Sequence, residues 1–266
     1  MPEFLYYLPS TELALLFTAV AVAAVALGLL VTKPLMRIVF GTGPDFNQNL
    51  AFGASGFNLF YGLLLGLLTV SAYQNSEKVR LAIQSEALAI GGLYADMETY
   101  PEPTRSDMRE MLRDYTLYTI HRDWPAHRQG AFLDGGANRA DAMRQRLARF
   151  EPEGAGQTIV HEGVMQGFRE FDAARERRLA GVITEIPDIL WYAVLVGAAV
   201  NVLLLCLLKM RLHTQFMVGT ITSFFLGVIL FVIVMLDDPL RGEAGLEPTP
   251  FALLWERRMQ WDEGLT

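Results

Sequence analysis

The sequence predicts an all-α integral membrane protein with four transmembrane helices and a helical-bundle aqueous domain inserted between helices 2 and 3. Three observations predict it. Four stretches of about twenty residues, each long enough to cross a bilayer, are almost free of charge. Between the second and third of them the chain is dense in Arg, Asp and Glu, with apolar residues recurring every three or four positions. Composition agrees: 52% of residues are hydrophobic and 19% charged, against roughly 25% charged in a soluble domain. The chain therefore divides into a first transmembrane hairpin (1–72), an aqueous domain (73–186), a second hairpin (187–238) and a C-terminal tail (239–266).

The first span runs from Glu12 to Thr32, with no charge between Glu12 and Lys33. A signal peptide carries its basic residues ahead of the apolar core. Here Glu3 and Glu12 precede the core while Lys33 and Arg37 follow it, so a retained helix is expected. The second span covers about 50–72 and contains Gly53, Gly56, Gly62 and Gly66. Gly62 and Gly66 form the small-xxx-small spacing that lets helices approach closely in lipid. The third span, 189–208, follows Pro187, a residue suited to a helix's first turn, and opens with Trp191 and Tyr192 as interface anchors. The fourth, 216–236, stops at Asp237-Asp238-Pro239.

Residues 73–186 read as four helices. The first continues span two, with Val79, Ile83, Ala87, Ile90, Tyr94 and Met97 on one face, and ends at the two prolines Pro101 and Pro103. The second begins at Thr104, which forms a capping-box pattern with Asp107; it buries Met108, Met111, Leu112, Tyr115 and Tyr118 and ends at Trp124-Pro125. After the turn at Asp134-Gly135-Gly136, a shorter helix carries Met143, Leu147 and Phe150. The last, 158–183, places Val164, Phe168, Phe171, Leu179 and Val182 inward and heads towards span three.

Charge excludes some functions. A net charge of −7, with Arg interleaved among carboxylates, leaves no basic face for nucleic acid. The single cysteine, Cys206, lies in an apolar run and reads as an inert buried residue. No phosphate loop, nucleophile elbow or His-Glu-x-x-His pattern is present, so no enzyme, cofactor or metal is expected. His121 and His127 stand six apart across Pro125, on different helical faces, which disfavours a metal pair. His161, Glu162 and the Arg175-Glu176-Arg177-Arg178 run read as solvated surface; the run could also sit near lipid headgroups or gather anions.

The spans contain no Asp, Glu, Lys, Arg or His in their interiors, which argues against an ion-coupled carrier. In span two, Asn58, Tyr61, Leu65, Thr69 and Ala72 share a face. That stripe reads either as the lining of a pore or as hydrogen bonding between helices of one subunit. Asp237 and Asp238 read as a helix stop, with a cation site at a pore mouth as the sharper alternative. Lys33 and Arg37 after span one, with Lys209, Arg211 and His213 between spans three and four, place those loops in the cytoplasm by the positive-inside rule. The central domain and both termini are then extracytoplasmic, although Arg175, Arg177 and Arg178 pull the other way.

Four stretches carry a family resemblance: Tyr61-Gly62 through Val70 leading to Asn75, Glu77, Arg80 and Glu86; Leu112 to Tyr115; Asp123-Trp124-Pro125; and Leu236-Asp237-Asp238-Pro239-Leu240-Arg241-Gly242. Their order and spacing resemble a bacterial family of four-helix membrane proteins described as bestrophin-like. Bestrophins proper are pentameric anion channels whose second span lines the pore and runs into a polar helix. Ser71 to Arg80 is similar in character to that junction, without its aromatic pair and second Arg. The resemblance implies a homo-oligomer in the bacterial inner membrane that passes small anions. It also implies a cytoplasmic aqueous domain, opposite to the loop charges. The alternative is a non-transporting scaffold that presents its helical domain to a protein partner.

Overall fold

The computed structural model describes residues 8–39, 45–183, 186–242 and 245–260, with backbone alone at 33–39. All described secondary structure is helical: α1 (Ser10–Val39), α2 (Phe46–Asp96), α3 (Thr104–Tyr118), α4 (Trp124–Arg128), α5 (Gly135–Ala148), α6 (Ala155–Ile183), α7 (Asp188–Leu207), α8 (Leu212–Asp237) and α9 (Thr249–Leu254). Four helices are long and apolar enough to cross a membrane, as expected. The chain forms two compact units. One comprises Met1–Gln74 with Glu185–Asp237, the other Asn75–Thr184 with Asp238–Thr266.

The membrane unit contains α1, the first part of α2, α7 and α8. Its core gathers Leu13, Tyr61, Leu65, Leu68, Val194, Ile233 and Val234. Small residues let its helices close up. A Cβ added at Gly227 of α8 would stand 2.9 Å from Phe17 O and Thr18 Cα on α1. Cys206 is buried with Val25 and Leu29, the inert position its sequence suggested. Asn47 clips the start of α2 to the α7–α8 turn, donating to Lys209 O at 2.8 Å and accepting from Lys209 N at 2.9 Å. Helix α1 runs past Thr32 to Val39, so Lys33 and Arg37 lie within it rather than in a loop; their side chains lie outside the described residues. Large outward side chains such as Leu15, Leu30, Phe60 and Leu67 suit contact with lipid.

The second unit packs the Asn75–Asp96 part of α2, α3 to α6, and the C-terminal segment around one core. Ile90, Met97, Leu112, Tyr115, Met143, Leu147 and Phe171 are completely or almost completely buried there. Four expectations need correction. The Thr104–Asp107 capping box is not made: Arg146 takes both side chains, and Glu102 caps the helix by accepting from Ser106 N at 3.2 Å. Helix α3 does not end at Trp124-Pro125. A π-helical turn at Thr119–Asp123 carries it into α4, with Trp124 N bonding back to Thr119 O; the changed register accommodates the donor that Pro125 lacks. Gly135 and Gly136 open α5 rather than forming a turn. Residues 239–266, set apart as a tail, contribute Leu240, Phe251 and Met259 to this core, because apolar spacing over so short a helix is hard to see in sequence.

Candidate functional site

Two places in the structure gather the residues that the sequence singled out, one in each unit. The second unit holds a buried charged cluster. Glu86 faces inward because it occupies the same stripe of α2 as Ile83 and Ile90. Arg178 of α6 donates to it through Nε at 2.7 Å and Nη2 at 3.2 Å, and Tyr115 of α3 donates its hydroxyl at 2.6 Å. A third donor of Arg178, Nη1, meets His127 Nδ1 at 3.3 Å. Nη2 also lies 3.9 Å from Asp123 Oδ2. The guanidinium carbon stands 5.5 Å from the ring centre of Trp124 and 5.9 Å from that of Phe251, so it has aromatic neighbours as well as polar partners.

The π-helical turn makes this cluster possible. By inserting an extra residue into one turn it rotates Thr119, Asp123, Trp124 and His127 inward together. Gly136 leaves room for Asp123, since a Cβ there would sit 2.7 Å from its Oδ2. Burial raises the Asp123 pKa despite Arg178 and Arg175. Burial, then the two arginines, pushes His127 down to about 3. A neutral imidazole is required in any case, because Arg178 can only donate to Nδ1. Burial first, then the Glu86 charge, raises the Tyr115 hydroxyl.

The Arg175–Arg178 run is therefore not a solvated face. Arg178 is fully buried and Arg175 nearly so, while Glu176 and Arg177 point outward. The missed signal was spacing: Arg178 falls in register with Phe171, Ala174 and Val182, where Leu179 had been expected. His127 is buried against Arg178 and His121 is exposed, so they form no pair. His161 is not plain surface either; its Nδ1 lies 2.7 Å from the Tyr100 hydroxyl.

Family-motif residues explain themselves locally. Glu86, Tyr115 and Trp124 belong to the cluster; Trp124 also donates Nε1 to Leu246 O at 2.8 Å. Pro239 O accepts from Leu246 N at 2.7 Å, and Gly242 N donates to Arg128 O at 3.1 Å. Gly242 has φ +74°, a conformation that favours glycine. Glu77 pairs with Arg80 one turn away at the surface, and Asn75 is half-buried nearby on α2. In the membrane unit, Asp237 accepts from Ile186 N at 2.6 Å and from Trp191 Nε1 at 3.1 Å. Asp238 lies 3.8 Å from Arg241. Both carboxylates serve the protein's own groups, which leaves the cation-site alternative without support.

The span-two stripe divides. Tyr61 is buried, donates to Val194 O at 3.1 Å, and lies against Gly197. Leu65 and Ala72 are buried as well. These three side chains face the interior of the membrane unit. Thr69 is half-buried and bonds its own helix at Leu65 O, 2.8 Å. Asn58 is exposed and accepts from Asn201 Nδ2 at 2.9 Å. One turn-face away, a Cβ at Gly53, Gly56, Gly62 or Gly66 would meet nothing within 4 Å. Beside the exposed apolar face that carries Phe60, Leu63 and Leu67, a polar and glycine-bearing face runs Ser55, Asn58, Gly62, Gly66, Thr69, Tyr73, in steps of three and four.

A family model described as a bestrophin-like domain matches residues 13–251. Among curated proteins none matches the chain significantly. A crystal structure of a bacterial bestrophin homologue from Klebsiella pneumoniae, obtained by Zn-SAD phasing, superposes with a TM-score of 0.70 at 11% identity, covering 94% of this chain and 98% of that one. Two single-substitution variants of a Klebsiella pneumoniae homologue give TM-scores of 0.70 and 0.71, both at 11% identity, covering 93% and 94% of this chain and 98% of each of theirs. At such identity the likeness is one of fold.

Proposed function

Because the chain belongs to the bestrophin-like family, we propose that it is one subunit of an oligomeric channel for small anions in the bacterial inner membrane, with the open face of α2 lining the path. The observation that carries this reading is the run Ser55, Asn58, Gly62, Gly66, Thr69, Tyr73, left exposed by the chain's own packing at every position but the half-buried Thr69. Polar groups on a lipid-facing surface are costly, so such a face suits water or a neighbouring subunit. Asn58 spends its carbonyl on Asn201, leaving its N–H donors for an anion. Small residues at Gly62 and Gly66 keep the lumen open, and uncharged donors release an ion readily. This lining keeps Asn58 and Thr69 and exchanges Tyr61 and Leu65 for the glycines.

The test is chloride flux into liposomes containing purified protein, with the oligomer's mass measured in nanodiscs. A homomeric ring with flux reduced at least tenfold by Gly66→Leu supports the reading; no conductance at any voltage or pH overturns it. A scaffold role finds its support in Tyr61 and Leu65, which are buried within the chain. Copurification at fixed stoichiometry with an unrelated complex, without flux, favours that role.

Orientation in this proposal follows the basic residues at the span ends, Lys33 and Arg37 in the last turns of α1 and Lys209 and Arg211 between α7 and α8, with the second unit extracytoplasmic. Glu151→Cys provides an exposed label in a loop, whereas a cysteine at Gly135 would collide with Tyr118. Labelling of intact cells by an impermeant reagent supports this orientation, and labelling only after lysis reverses it.

A further inference from the structure

In the second unit a cavity of about 660 Å³ opens between the Asn75–Asp96 part of α2 and the C-terminal segment. Its size lies within the range of small-molecule sites, on the order of 300–1,000 Å³. Ile83, Ala87, Leu88, Leu253 and Leu254 make its floor apolar. Leu88 is 75% exposed, a large aliphatic surface for the unit outside the spans. The rim is basic. Arg80, Arg257 and Arg258 line it, against the single carboxylate of Glu247.

Two of these arginines have no acidic partner among the described residues. Arg80 is paired with Glu77. Among the described residues Arg258 donates to a carbonyl, Gly91 O at 3.3 Å from Nη1, and neither it nor Arg257 makes an ion pair. Their placement is built, not incidental. Gly91 lets the segment close in, since a Cβ there would lie 3.1 Å from Leu254 and 3.8 Å from Arg258 Nη1. The π-helical turn Trp255–Met259 then sets Arg257 and Arg258 at the rim while burying Met259. A guanidinium pair matches a carboxylate in charge and in fork geometry, and the apolar floor matches an alkyl or aryl tail.

We propose that this groove is a binding site for a soluble amphipathic carboxylate, its head held by Arg257 and Arg258 and its tail laid along Ile83, Ala87, Leu253 and Leu254. The inference is independent of the channel reading, because it concerns binding alone. Such a ligand would bridge α2 and the C-terminal segment and hold the two together.

The probe is octanoate, titrated calorimetrically into the full chain in zwitterionic nanodiscs, with empty nanodiscs as the blank and 1-octanol and octylammonium as neutral and cationic analogues. Saturable binding of octanoate with one site per chain is expected, and at least tenfold weaker binding of both analogues. The Arg257→Ala/Arg258→Ala double variant and Leu253→Glu, all at exposed positions, should each weaken octanoate at least tenfold while leaving thermal unfolding unchanged. Octanol binding as tightly as octanoate, or unaltered affinity in the double variant, overturns the proposal. Absence of saturable binding to the unmodified chain overturns it too, as does disulfide cross-linking between copies through Leu253→Cys, which would show the groove filled by a second copy.

Discussion

Arg178 of α6 grips both carboxylate oxygens of Glu86 on α2, at 2.7 and 3.2 Å, and neither side chain is exposed. Removing one partner leaves the other charged and desolvated. Glu86→Leu and Arg178→Met should each cost about 3–5 kcal/mol, whereas the double variant should recover much of the loss. Denaturant unfolding of the purified protein, followed through a double-mutant cycle, measures this. Additive losses would show that the two residues act separately.

His127 supplies a pH dependence of definite sign. Its pKa in the folded protein is about 3, below the ordinary 6.5. Between these values the unfolded chain takes up a proton that the folded chain refuses, so this contribution is complete above pH 6.5 and lost as pH falls. The slope is at most about 1.4 kcal/mol per pH unit. Asp123 acts oppositely, its raised pKa favouring the folded state at low pH. Unfolding free energies measured from pH 7 to 5 should fall less steeply for His127→Gln, which keeps an acceptor for Arg178. Identical slopes would remove His127 from the account.

Trp124 ties the C-terminal segment to the cluster through Leu246 O and a ring contact with Phe251 at 5.8 Å between centroids. Trp124→Phe keeps an aromatic ring but leaves that carbonyl without its donor, at a cost of about 1–3 kcal/mol. Faster tryptic cleavage after Arg257 and Arg258 is the expected readout. Unchanged cleavage would mean the segment is held by its other contacts alone.

Two membrane glycines should respond oppositely to the same methyl group. At Gly227 it meets backbone atoms of α1 at 2.9 Å, which cannot rotate away, so Gly227→Ala should destabilise by about 1–3 kcal/mol. At Gly66 it meets nothing within the chain, and Gly66→Ala should gain up to about 1 kcal/mol from helix propensity. Melting of the two variants in detergent tests the contrast.

Spans and helix faces were legible because their signals are local. A charge-free run of twenty residues has few fates other than a membrane, and Val79, Ile83, Ala87 and Ile90 declare an inward face by spacing alone. Glu86, Tyr115, Trp124, Pro239 and Gly242 were also marked by sequence, through the family resemblance, but without a reason for their presence.

Tertiary structure decided which polar residues are spent on packing. The stripe in span two looked continuous, yet Tyr61 turns towards α7, Leu65 is buried, and the neighbouring glycine face stays open. Arg178 looked like one more surface charge until Glu86, His127 and Asp123 closed around it. Spacing determines which residues share a helical face. Only the packing of other helices determines whether that face meets core, water or lipid, because burial depends on partners distant in the chain.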